Sequence, residues 1–181
     1  MSLTKHEVAN RYAKALYATL EEQDQVATGQ TDLATIQSIL TADPTVTTAL
    51  ASTALSPDQK EALLKPLLES VTTQPVKNLV QMMFDYGRIS DLQAVIDKFK
   101  QIYNQKHGIV IASVTTAVPL APEQRDQLAQ TFANKVQANQ VELQEHTNPA
   151  LIGGVILQAE NVVFDGSIKT KLDNLKRLLL Q

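Results

Sequence analysis

The chain has 181 residues, 44% of them hydrophobic and 19% charged, and a formal charge of -3. That length supports one large core or two small ones, and the balance is ordinary for a globular protein. There is no apolar run of about 18 residues to span a bilayer, no cysteine for disulfide, thiolate or Cys-zinc chemistry, and no basic excess of the kind a nucleic-acid binder carries.

The opening text, MSLTKHEVANRYAKALY, lacks an apolar signal core and transit-peptide character, which predicts a cytosolic compartment unless a transit peptide has already been removed. Its periodicity predicts a helix from about Thr4 to Glu22. Val8, Ala9, Tyr12, Ala13, Ala15, Leu16 and Leu20 fill an arc of roughly 160°, wider than a usual core-facing stripe. Two readings stand: a helix packed on two neighbours, or a helix that keeps one margin of the arc for a partner. A second helix is expected over Thr31–Thr41. Asp43-Pro44 restarts a short one, with Asp as cap and Pro at the first helical position.

Ser56-Pro57-Asp58-Gln59 reads as a capping box ahead of Ala62, Leu63, Leu67 and Leu68. Pro66 inside that segment is expected to kink or shorten it. Pro75 opens a fifth helix with Val76, Leu79, Val80, Met83 and Phe84 on one side, stopped by Gly87. Ser90-Asp91-Leu92-Gln93 reads as another capping box, starting a long helix that ends at Gly108. The expected N-terminal domain, residues 1–106, is a six-helix bundle.

The texture changes after His107. Ile109–Val118 is β-branched and reads as a strand. Pro122 starts a helix with Leu128, Phe132 and Val136 in register, and Val141–Thr147 alternates as a half-buried strand does. Leu151–Ala159 is expected as a strand containing Gly153-Gly154. Glu160-Asn161 is expected to turn it back into Val162-Val163-Phe164. Asp165 is then expected to cap a last helix with Ile168, Leu172, Leu175 and Leu179 in one stripe. The expected fold class is therefore α+β: the bundle, then a small α/β domain over 107–181 with a mostly antiparallel sheet and two helices.

No catalytic constellation emerges. Gly153-Gly154 lacks the spacing of a dinucleotide fingerprint, and there is no phosphate loop. The three histidines, His6, His107 and His146, lie on separate elements without metal-ligand spacing. Asp165-Gly166-Ser167 could hold an anion at a helix N-terminus, but capping explains the same residues more economically.

Three stretches carry a resemblance. Asn10-Arg11-Tyr12-Ala13-Lys14-Ala15-Leu16-Tyr17 is similar to an R-Y-A-x-A-L-[FY] opening. Gly87-Arg88-Ile89-Ser90, then Gly108-Ile109-Val110 and Val114-Thr115-Thr116-Ala117, form the hinge text. Asn148-Pro149-Ala150-Leu151-Ile152-Gly153-Gly154-Val155, followed by Phe164-Asp165-Gly166-Ser167-Ile168-Lys169, is similar to a [DN]-P-x-L-I-G-G and D-G-S-[IV] pair. In order and in a chain of this length, these stretches resemble the bacterial ATP synthase delta subunit family, the oligomycin-sensitivity-conferring type. Thr170-Lys171 departs from the Gly-Arg commoner there, and His146-Thr147 from a valine-like strand ending.

The resemblance implies a non-catalytic stator subunit of a proton-translocating F-type ATP synthase, without cofactor or metal. A generic helical adaptor unrelated to the synthase is the alternative. The implied partners are the alpha subunits of the catalytic head, with beta as a further head contact, and the b subunits of the peripheral stalk. No nucleic acid and no direct membrane insertion are implied. One copy would sit in each complex, peripheral at the cytoplasmic face of the cell membrane.

The implied head-binding groove lies between the first and fifth helices, at Arg11, Tyr12, Ala15, Leu16, Thr19 and Leu20 with Leu79, Val80 and Met83. The implied stalk-side residues are Gly153, Gly154, Asp165, Gly166, Ser167, Lys169 and Lys171. For the glycine pair, a structural bend and a partner contact both stand. So do stalk contact and dipole matching for the basic last helix.

Overall fold

The computed structural model describes residues 4–52, 55–159 and 162–179, with the side chains of all but 173–175, 178 and 179. The chain is mixed helix and sheet, and it divides into two compact units, Met1–Tyr103 and Asn104–Gln181.

The first unit contains α1 (Lys5–Glu22), α2 (Val26–Ala42), α3 (Pro44–Ala51), α4 (Pro57–Glu69), α5 (Gln74–Asp85) and most of α6 (Leu92–His107). Local chemistry sets most of their ends. Thr4 caps α1, its hydroxyl accepting from Glu7 N–H while the Glu7 carboxylate accepts from Thr4 N–H at 2.8 Å. Asp43 accepts from Thr45 N–H at 3.0 Å ahead of Pro44. The Ser56–Gln59 capping box starts α4 as expected. Gly87, at φ +65°, ends α5 by letting Arg88 N–H reach back to Met83 O at 2.7 Å.

Several boundaries differ from the sequence expectation. α2 begins at Val26, not Thr31, although Gln25 supplies no side-chain cap. Buried Gly29 packs on Leu20 of α1, so tertiary contact sustains a first turn that propensity disfavours. α4 is not cut at Pro66 but runs to Glu69, because buried Leu64 and Leu67 hold both sides of the proline. Its inward residue is Leu64, not Leu63, which is 40% exposed. The expected box at Ser90 is replaced by a 3-10 turn, Ile89–Asp91, that buries Ile89 and hands over to α6 at Leu92. The core of this unit gathers around Phe99, with the Tyr17 ring 5.7 Å away and Leu20, Leu33, Ile36, Leu64 and Met83 alongside.

The second unit holds β1 (Ile109–Thr116), α7 (Pro122–Val136), β2 (Gln140–Thr147), β3 (Val155–Ala159), β4 (Val162–Asp165) and α8 (Ile168–Leu179). The sheet order is β2-β1-β3-β4. β1 and β2 pair in parallel, with Val110 beside Val141, and α7 makes the crossover that parallel pairing requires. The β1–β3 and β3–β4 pairs are antiparallel. α7 packs Phe132 beneath the sheet with Ala112, Val114, Leu143 and Leu157, and its ring meets Phe164 edge-on at 5.5 Å. The expected Glu160-Asn161 turn lies outside the described residues, as do the side chains of Leu175 and Leu179.

Candidate functional site

On the helical unit, α1 and α5 run beside each other with different depths of burial across their widths. Along α1, Val8, Ala9, Ala13, Leu16, Tyr17 and Leu20 face inward. Tyr12 is half-buried, and Ala15 and Thr19 are exposed. Along α5, Val76, Leu79, Val80 and Met83 face inward, while Pro75 and Met82 are half-buried and Asn78 is exposed. The outer margins enclose a groove of about 240 Å³, lined by Tyr12, Ala15, Leu16, Thr19, Pro75, Asn78, Leu79 and Met82. Thr19 and Asn78 in the lining make local bonds. Thr19 Oγ1 donates to Ala15 O at 3.0 Å, and Asn78 Oδ1 accepts from Gln74 Nε2 at 2.8 Å. Most of the trough is methyl, thioether and ring surface, suited to an apolar ridge.

Tyr12, Ala15, Leu16, Thr19 and Leu79 thus come together. Leu20, Val80 and Met83 do not: they are 0%, 0% and 1% exposed and belong to the core. Arg11 is exposed but lies outside the lining. Pro75 lies just outside the expected Val76–Phe84 stretch, and Asn78 and Met82 lie within it without being among the expected site residues. They recur at helical spacing one position off the apolar stripe, which is the signal that marks them.

The titratable groups held away from their ordinary values serve the fold. Burial pushes the Asp32 carboxyl up, but hydrogen bonds from Thr73 and Thr72 outweigh it and leave it below its ordinary value. Burial pushes the Tyr17 hydroxyl up, helped by Glu21 and Tyr103. Glu7 is lowered by its bonds from the Thr4 backbone and hydroxyl.

In the second unit the signature glycines pack on one another. Leu151–Ala159 is not one strand. Residues Pro149–Leu151 form a 3-10 turn, Ile152 sits at φ +64°, and β3 begins only at Val155. Gly153-Gly154 therefore precedes the strand. Gly154 has φ +84°, and a Cβ there would collide with the Gly166 carbonyl and lie 2.9 Å from Ser167 Cα. Gly166 N–H donates to Val155 O at 2.9 Å, and Ile168 N–H to Gly153 O at 3.0 Å. The two halves of the signature are a backbone-to-backbone clasp.

Asp165 does not cap α8 directly. Its carboxylate accepts from Ser167 N–H at 2.8 Å and from Thr170 Oγ1 at 2.7 Å, which holds it below its ordinary value. Ser167, 1% exposed, is the cap, its Oγ accepting from Thr170 N–H at 3.2 Å. Lys169 and Lys171 are exposed. Beside the clasp, Leu120, Leu128, Ile152, Gly153, Gly154 and Val155 line part of a hollow of about 490 Å³.

Among the described residues, no three His, Cys, Asp or Glu are grouped to hold a metal, and no helix is long and apolar enough to cross a membrane. The class these features define is a two-unit chain, a helical unit with an apolar groove and a unit built on a small mixed sheet. The family model of the ATP synthase delta (OSCP) subunit matches residues 8–179. The chain belongs to the ATP synthase delta (OSCP) subunit family, a non-catalytic peripheral-stalk subunit of the enzyme complex.

The ATP synthase subunit delta of Lactiplantibacillus plantarum is 38% identical over 180 residues, 99% of either chain. That of Ligilactobacillus salivarius is 36% identical over 181 residues, 100% of either chain. A chain in the Toxoplasma gondii mitochondrial ATP synthase hexamer shares the fold with a TM-score of 0.70 at 22% identity, covering 96% of this chain and 97% of that one. Likeness through both units disfavours an unrelated helical adaptor.

Proposed function

We propose that residues 1–106 act as a six-helix bundle that binds the catalytic head, and residues 107–181 as a two-helix α/β unit that binds the peripheral stalk. The observation that carries the reading is the α1–α5 groove. Its apolar floor and helical walls fit an amphipathic helix laid lengthwise, which gives affinity through buried side chains without catalytic apparatus. The guest is the N-terminal segment of an alpha subunit, with beta as a further head contact. The b subunits are taken as partners of the second unit through the exposed, basic side of α8 at Lys169 and Lys171. Gly153, Gly154 and Gly166 are occupied in the internal clasp, so stalk contact falls to the cations and not to the glycines. One chain per complex, held at the cytoplasmic face of the cell membrane by its neighbours, then keeps the head from turning with the rotor.

The test is a pull-down of purified head and of soluble b subunits on the tagged full chain. The parent chain is expected to retain both. Joint replacement of Lys169→Glu and Lys171→Glu is expected to release b and keep the head. An intact, folded parent chain that retained neither would refute the reading.

A further inference from the structure

α2 contributes no side chain to the groove, yet it packs against both helices that form it. Toward α1 it presents Gly29, where an added Cβ would overlap a Leu20 methyl. One turn further it presents Asp32, whose side chain is nearly sealed from solvent. The carboxylate accepts from Thr72 N–H at 3.1 Å, Thr72 Oγ1 at 3.0 Å, Thr73 N–H at 2.7 Å and the Thr73 hydroxyl. Thr73 is the N-cap residue of α5, yet its hydroxyl makes no capping bond to α5. It is spent on Asp32 instead.

Donors from two consecutive residues converging on one carboxylate fix both the height and the rotation of the helix that follows. A negative charge beside that helix N-terminus is favourable as well. The first turn held this way carries Pro75 and leads into Asn78, and the two are half of the α5 wall of the groove. We propose that Asp32 is a positioning residue for the docking groove, setting the first turn of α5 at the spacing from α1 that a guest helix requires. The inference rests in part on the docking reading above, and its test separates the two.

Asp32→Asn keeps the shape but turns an amide NH₂ toward N–H donors. Thr72→Val removes part of the clamp more gently, and Thr73→Ser keeps the hydroxyl. Leu50→Ala, on α3 and outside both the clamp's hydrogen bonds and the groove lining, is the control expected to lose stability without losing positioning. Each full-length chain is titrated with a peptide from the N-terminus of the alpha subunit, at a temperature where circular dichroism shows it folded. In the same chains without peptide, methyl NMR follows Leu79 and Met82. Asp32→Asn is expected to weaken the peptide at least tenfold and Thr72→Val by less. Thr73→Ser and Leu50→Ala are expected to stay within twofold of the parent. The groove methyls are expected to shift in Asp32→Asn and Thr72→Val, and not in Leu50→Ala. Unmoved methyls in both clamp variants, or equal effects in Leu50→Ala, would overturn the proposal. A parent chain that ignores the peptide would sink the docking reading alone, and the methyl shifts would still decide the role of Asp32.

Discussion

Asp32 and Gly154 show how single residues can be tied down by contacts within their own unit. A folded-state carboxyl held below its ordinary value contributes stability that is complete above the unfolded value, about 3.9, and is lost as pH falls through the folded one. The stability advantage of the parent over Asp32→Asn is therefore expected at about 2–3 kcal/mol near pH 7. It should shrink below about pH 4. Urea midpoints measured across that range check it, and a difference independent of pH would contradict the ionised clamp. For the glycines, Gly154→Ala incurs both a left-handed backbone and a collision with the 166–167 turn, whereas Gly87→Ala meets nothing within 4 Å. The expected losses are about 1 kcal/mol at Gly87 and more at Gly154, read as melting temperatures.

At the scale of elements, caps and faces follow rules that a sequence exposes well. Ser56 and Gln59 bond reciprocally, so Ser56→Ala is expected to cost about 1 kcal/mol in denaturant unfolding, with α4 still helical. The same rules made the starts of α3 and α4, the stop at Gly87 and the strand character of β1 legible. They failed where tertiary contact overrode local preference. α2 starts early because Gly29 nests on Leu20, Ile89 is drawn inward ahead of α6, and the Gly154–Gly166 clasp shortens β3. The groove was legible as an overly wide apolar arc on α1. Which margin faced outward was not, because Ala15 and Ala13, or Met82 and Met83, are the same residue types on opposite sides of a boundary that only packing defines. Asp32 was invisible for a related reason: its donors, Thr72 and Thr73, lie forty or more positions away along the chain.

At the scale of the whole molecule, the two units differ in how they are made and in what they offer. The helical unit has a large, mainly aliphatic core and an apolar groove on its margin. The sheet unit is smaller, tied by a parallel crossover and a glycine clasp, and ends in an exposed cationic helix. A stator needs static affinity, and the quality of a central apolar contact governs that more than area does. The proposed docking of the head at the groove is best probed at Ala15, which lines the groove while remaining exposed and outside the core. The decisive measurement is calorimetric titration of the alpha N-terminal peptide onto the full chain and onto Ala15→Glu, with melting temperatures recorded beside it. Saturable binding to the parent, a loss of at least tenfold in Ala15→Glu, and melting within a few degrees of the parent are expected. Equal binding by both chains, with the variant fully folded, would contradict that docking.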